Sequence, residues 1–256
     1  MSVDLDPAVR RPLADRLLAM ADDELILAHR NSEWTGHAPI LEEDIAFANI
    51  AQDELGHASL WYALLAALTG EDPDQLAFFR EANAFRCAQL VQLPRGDWAF
   101  SMLRQYLFDA YEMILLADLS VSRYRPLAEA AAKIRPEEIY HHRHTSTWIR
   151  RLGRGTEESC RRVQRALDIL WPMTAQLFWM PDEYGILAAA GIMPDLGQVA
   201  ARWFESVRPF LVDAHLTLPA DFDATDAPPR GQHSPHLAPL LAEMQEVARL
   251  DEAAQW

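Results

Sequence analysis

An all-α fold, built around a four-helix bundle with additional C-terminal helices, is predicted by three observations. Half of the 256 residues are hydrophobic while only 10 are Gly. Runs of alternating apolar and polar residues, the mark of a half-buried strand, are hard to find. Two helix-like apolar runs also carry one pattern, Glu54-Leu-Gly-His57 and Glu138-Ile-Tyr-His141. The length suits one large domain or two small ones. No linker demands two, so a single domain over residues 1–256 is expected, with a bundle core at about 7–155 and a helical extension at about 156–256.

The first helix is expected from about Pro7 to Glu33, ended by the turn Trp34-Thr-Gly-His-Ala-Pro39. The second begins near Ile40 and runs to Leu68, where Thr69-Gly70 forms a C-terminal stop. A short helix over Pro73–Ala84 leads through Pro94-Arg95-Gly96 to a third long helix, about Asp97 to Arg123. The fourth follows Pro126 and closes at Gly153-Arg-Gly155. A fifth starts near Thr156 and is kinked or restarted at Trp171-Pro172, because proline removes a backbone donor. Helical pieces follow at Asp182–Ala190 and Pro194–His215, then a Pro-, Asp- and Thr-rich loop over Leu216–Ser234. Ser234-Pro235 reads as an N-cap with Pro at the first position of a last helix running through Ala248.

The net charge of −15 repels phosphate backbones and anionic lipid, which argues against nucleic-acid or membrane partners. No apolar run approaches the length of a bilayer span. The start Met1-Ser2-Val3-Asp4 has no basic-then-apolar pattern, so no signal peptide is expected. Two cysteines without a CxxC neighbour, Cys87 and Cys160, fit buried free thiols in a reducing, cytoplasmic setting.

The chemistry is concentrated on four helical stripes. Residues three or four apart share a helix face, so Glu54 and His57 lie on one stripe with Phe47, Ile50, Trp61 and Leu64. Glu138 and His141 share another with Ile134, Thr145 and Trp148. On the first helix Glu24 stands among Leu17, Met20, Leu27 and Ala28. On the third, Glu112 stands among Gln105, Phe108, Leu115 and Leu119. Taken singly, Glu24 or Glu112 reads as an ordinary half-exposed helix residue.

The set of six reads differently. Ionised carboxylates buried without a partner are very costly, and no buried Arg or Lys is expected beside them on these stripes. Two Glu-x-x-His pairs plus one Glu on each of two other helices match the ligand set of a di-iron carboxylate site. The intervals fit helical hairpins, with Glu54 lying 30 residues after Glu24 and Glu138 lying 26 after Glu112. Carboxylates with one imidazole per ion suit iron or manganese better than zinc.

Asp53 and Glu137, each preceding a candidate ligand, are read either as acceptors for the free N–H of a ligand histidine or as solvated residues. Tyr111, Tyr140 and Trp61 lie near the site and are candidate electron carriers, with core packing the stronger reading for Trp61. His29, His142 and His144 read as surface or interface residues. His233 and His236 have metal-like spacing but fit the capping of a helix start better. Trp34 and Trp98 are candidates for exposed, partner-facing aromatics.

The chain resembles the C subunit of the phenylacetyl-CoA 1,2-epoxidase family. The resemblance is carried by Glu33-Trp34-Thr-Gly-His-Ala-Pro39, Asp44-Ile-Ala-Phe-Ala-Asn-Ile50, Arg104-Gln-Tyr106, Trp148-Ile-Arg-Arg-Leu-Gly153 and the tail His233-Ser-Pro-His-Leu-Ala-Pro-Leu-Leu-Ala-Glu-Met-Gln245. It implies a ferritin-like fold and a complex with a homologous catalytic A subunit, which holds a di-iron centre and binds phenylacetyl-CoA. A small B subunit, together with a flavin and iron–sulfur reductase, would complete the system, which adds one oxygen atom of O₂ across the aromatic ring with NADPH electrons. Some C-subunit relatives lack the ligands and act as structural partners, whereas all six positions are filled here. Three readings follow: a subunit that binds two iron (or manganese) ions, a scaffold needing no metal, and a stand-alone ferritin-like oxidase or iron handler that assembles with itself.

Overall fold

Side-chain caps mark the start of several of the helices. The computed structural model describes residues 5–220 and 227–251. In chain order the helices are α1 (Pro7–Ser32), α2 (Leu41–Thr69), α3 (Pro73–Phe78), α4 (Gln89–Gln92), α5 (Trp98–Leu119), α6 (Arg125–Gly153), α7 (Glu157–Leu170), α8 (Gly185–Ala189), α9 (Leu196–Asp213) and α10 (Leu237–Leu250). Asp6 accepts the Ala8 amide at the start of α1, Asp97 that of Phe100 at α5, and Thr156 that of Ser159 at α7. Each satisfies an amide that the first helical turn leaves open. Gly70 closes α2 at φ 83°, a left-handed conformation that glycine adopts without steric cost.

Several boundaries differ from expectation. The helix expected over Pro73–Ala84 stops at Phe78, and Ala82–Ala84 forms a separate 3₁₀ turn. The interruption expected at Trp171-Pro172 is present, where the α-helix ends at Leu170 and the chain restarts as a 3₁₀ stretch, Trp171–Phe178. The last helix starts at Leu237 with His236 at its N-cap position and no side-chain cap. Ser234 Oγ instead accepts the His236 amide in the preceding turn. Within the loop expected at 216–234, residues 221–226 lie outside the described residues, as does the Met1–Asp4 start.

The chain divides into two compact units. One holds Asp6–Pro94 and the chain from Arg230 onward, and the other holds Arg95–Pro229. In the first, α1 and α2 pair as an antiparallel hairpin, as shown by the contacts of Asp22 with Tyr62 and of Glu24 with His57. Its core contains Leu13, Leu17, Ile26, Phe47, Ile50 and Trp61, all buried.

The C-terminal segment is bound into this unit by polar contacts. Gln92 Nε2–H donates to His233 Nδ1 at 2.9 Å, and His233 Nε2–H donates to the Phe85 carbonyl at 3.0 Å. Arg30 donates to the Gln92 and His236 carbonyls, and Gln245 donates to that of Arg80.

Those contacts keep the His233 ring neutral, because a proton on Nδ1 would face the amide donor of Gln92. Burial holds its pKa below the ordinary histidine value, and nearby Arg86 acts in the same direction. Burial also lowers His29 and His142. Since the unfolded chain takes up these protons first, stability falls as pH drops through the unfolded value of about 6.5 toward the folded values. The midpoint of urea unfolding should therefore fall between about pH 7.5 and about pH 5.5, and His233→Gln should make that fall shallower.

In the other unit α5 and α6 form the matching antiparallel hairpin, with Trp98 edge-on to Trp148 and Tyr106 stacked on His142. Pro136 sits inside α6, two residues before Glu138, where it deletes one backbone hydrogen bond and would bend the helix. Gly153, buried at the end of α6, lies against the backbone of Ala214, and a Cβ there would collide with the Ala214 carbonyl oxygen. Behind α5, Trp171, Phe178, Trp203 and Phe204 make a continuous aromatic cluster that reaches Tyr111. Trp203 Nε1–H is satisfied by the Leu107 carbonyl at 3.2 Å. Among the described residues there is no strand, and no helix is long and apolar enough to cross a membrane.

Candidate metal centre

Each hairpin presents two glutamates and one histidine in its interior. On α1–α2, Glu24, Glu54 and His57 are buried, and each offers a ligand atom within 4.8 Å of the others. His57 Nδ1 lies 3.7 Å from Glu24 Oε2 and 3.8 Å from Glu54 Oε2. Two donors bound to one ion at about 2.1 Å would be separated by roughly 3–4 Å at bond angles of about 90–130°. The observed spacings fall in that range, so the three residues fit a metal ion.

On α5–α6 the set is Glu112, Glu138 and His141, also buried. Glu138 Oε1 approaches His141 Nδ1 to 2.9 Å, and carboxylate oxygens of Glu112 and Glu138 come within 4.8 Å of each other. Hard oxygen donors with one imidazole suit iron or manganese. Two carboxylates this close in a buried space hold a proton or a cation between them.

The sequence reading placed Glu–His pairs on inward stripes, and the burial of Phe47, Ile50, Trp61, Ile134 and Thr145 agrees. Two arginines are nevertheless buried on the same helices. Arg16, eight residues before Glu24, and Arg104, eight before Glu112, are both buried. Eight residues of helix place the two backbone positions about 12 Å apart along the axis.

Sequence reasoning missed the roles of the two acids preceding Glu24. Asp22 accepts from Tyr62 Oη at 2.5 Å, from the guanidinium of Arg80 and from the Arg86 amide at 2.6 Å. Asp23 accepts from Arg230 Nη1 at 2.6 and 2.7 Å and from the Ala88 amide at 2.6 Å. Burial pushes the Asp23 pKa up, opposed by Arg230. The run Asp22-Asp23-Glu24 inside an otherwise apolar helix was a visible signal, but both arginine partners come from far along the chain.

Other readings also change. Trp34 is buried and Trp98 is half-buried against Trp148, so neither is an exposed partner-facing aromatic. His142 and His144 are half-buried and stack on Tyr106 and Tyr140. His233 serves the Gln92–Phe85 contacts rather than capping a helix. Asp53 is half-buried and Glu137 exposed. Tyr111 and Trp61 are buried, while Tyr140 is 40% exposed. Cys87 is buried and Cys160 half-buried, both as free thiols.

An all-α chain with carboxylate–histidine sets inside paired long helices is of the class of helical proteins able to hold metal ions between their helices. Residues 3–256 match the family described as phenylacetic acid catabolic protein, and the chain belongs to that family, whose fold is ferritin-like and helical. The chain is 40% identical over 241 residues to the C subunit of 1,2-phenylacetyl-CoA epoxidase from Escherichia coli (strain K12), covering 93% of this chain and 97% of that protein. It is also 23% identical over 176 residues to the A subunit of the same epoxidase, covering 69% of this chain and 57% of that one.

Proposed function

We propose that this protein is the counterpart of the C subunit in a phenylacetyl-CoA 1,2-epoxidase and holds a di-iron carboxylate centre of its own. Glu24, Glu54 and His57 form one ligand set and Glu112, Glu138 and His141 the other, one set for each ion. The observation that carries the reading is that all six side chains are buried, with ligand atoms of Glu24, Glu54 and His57 within 4.8 Å of one another, in a chain similar to the C subunit over nearly its whole length. Similarity to two subunits of one epoxidase supports, as the main partner, a homologous A subunit, with a small B subunit plus a reductase completing the assembly. The two units act as one ferritin-like domain in a cytoplasmic protein.

In this reading the protein supplies ligands, their orientation and a dry surrounding. The glutamates neutralise cationic charge, the imidazoles bind through the nitrogen facing the carboxylates, and the apolar residues of each stripe exclude water. When bound, the iron pair would supply activation of O₂.

The test is to co-express the chain with the catalytic partner and measure association and iron per chain. Stable association with about two iron ions in this chain supports the full reading. Association with no iron leaves the scaffold reading, and a self-assembled cage without association returns the stand-alone iron handler.

A further inference from the structure

A third acid lies beside the ligand set of the α5–α6 hairpin, and none of the chemistry above uses it. Asp109 is fully buried and sits three residues before Glu112, so it occupies the same face of α5 one turn earlier. Its Oδ1 accepts Gln105 Nε2–H at 2.6 Å, and its Oδ2 accepts the hydroxyl of Thr145 at 2.7 Å. Thr145 stands on α6 four residues after His141, with Oγ1 3.0 Å from the His141 carbonyl and 3.3 Å from that of His142. The hydroxyl has one proton to give, and the carboxylate is both the nearer and the stronger acceptor. Gln105, Asp109 and Thr145 are all fully buried.

Burying an acid to join two helices is a costly way to hold them together, since apolar residues of similar size would pack as well. What the directional bridge adds is height. It ties α5 to α6 one turn from Glu112 and one turn from His141, adding a directional restraint on register to that of the packed side chains. Ligand atoms must sit within about 0.2 Å of their bonding distances, so register is what a ligand set divided between two helices requires. We infer that Asp109 and Thr145 are positioning residues, which set Glu112 on α5 against the Glu138–His141 pair on α6. This inference rests on the metal reading proposed above.

The experiment compares Thr145→Val, which removes the hydroxyl while keeping the shape, with Thr145→Ser, which keeps it, and with Asp109→Asn, all in the full chain. Ferrous iron is titrated anaerobically against a competing chelator, and melting of the metal-free proteins is followed in parallel. Thr145→Val and Asp109→Asn should weaken binding of one ion by about 10–100-fold, while Thr145→Ser should bind like the unaltered protein. Should Thr145→Val fail to fold, Asp109→Asn reads the same quantity. A lower melting temperature with unchanged iron affinity would make the bridge mere packing and overturn the inference. An unaltered protein that takes up no iron at all would instead bring down the metal reading and this inference together.

Discussion

Glu54→Ala and His57→Ala should each reduce bound iron from about two ions per chain to one or none. Both side chains are buried, and each supplies a donor atom to the α1–α2 set, in which ligand atoms lie within 4.8 Å of one another. Losing a donor from a three-residue set leaves two, and water must fill the vacated position in an apolar surrounding. Glu137→Gln is the matched control. Glu137 neighbours Glu138 in sequence but is exposed, so iron content should stay unchanged. Metal analysis of protein grown with iron, with ultraviolet–visible spectra, reads both results. Iron content unaltered by Glu54→Ala and His57→Ala would remove these residues from the ligand set.

The other large effect is expected at Arg230. Its guanidinium reaches both oxygens of Asp23 at 2.6 and 2.7 Å, and both side chains are 3% exposed. Arg230→Met leaves a buried carboxylate facing an apolar side chain, which should cost about 3–5 kcal/mol of stability by urea unfolding. The double change Asp23→Asn with Arg230→Met removes both charges and keeps an oxygen for the Ala88 amide. It should lose less than Arg230→Met alone, because no stranded charge remains. A double variant as unstable as the single one would mean that packing, not charge pairing, accounts for the loss. Asp23 is also the residue before Glu24, so this ion pair fixes the part of α1 that presents a proposed ligand.

Sequence periodicity was enough for the four long helices and for the inward face of both Glu–His pairs. Asp6, Asp97, Thr156 and Gly70 act within a few residues of themselves, and interactions that short can be read directly from the chain. The inward stripes were equally legible, since a helix repeats its face every three to four residues. The helix starting at Ser234-Pro235 was misplaced because Ser234 finds its partners in a turn first, and Trp34 was misjudged because its burial depends on packing rather than on its neighbours in sequence.

The all-α class, the long helices and six inward-facing side chains whose types suit hard metal ions follow from the order of residues alone. Which partners the buried acids meet follows instead from the packing of distant segments. Asp22 and Asp23 find Arg80 and Arg230 across separations of 58 and 207 residues, and Asp109 finds Thr145 across 36. Local periodicity sets which way a side chain faces. The charge that meets it there is delivered by chain closure over distances that no local pattern records.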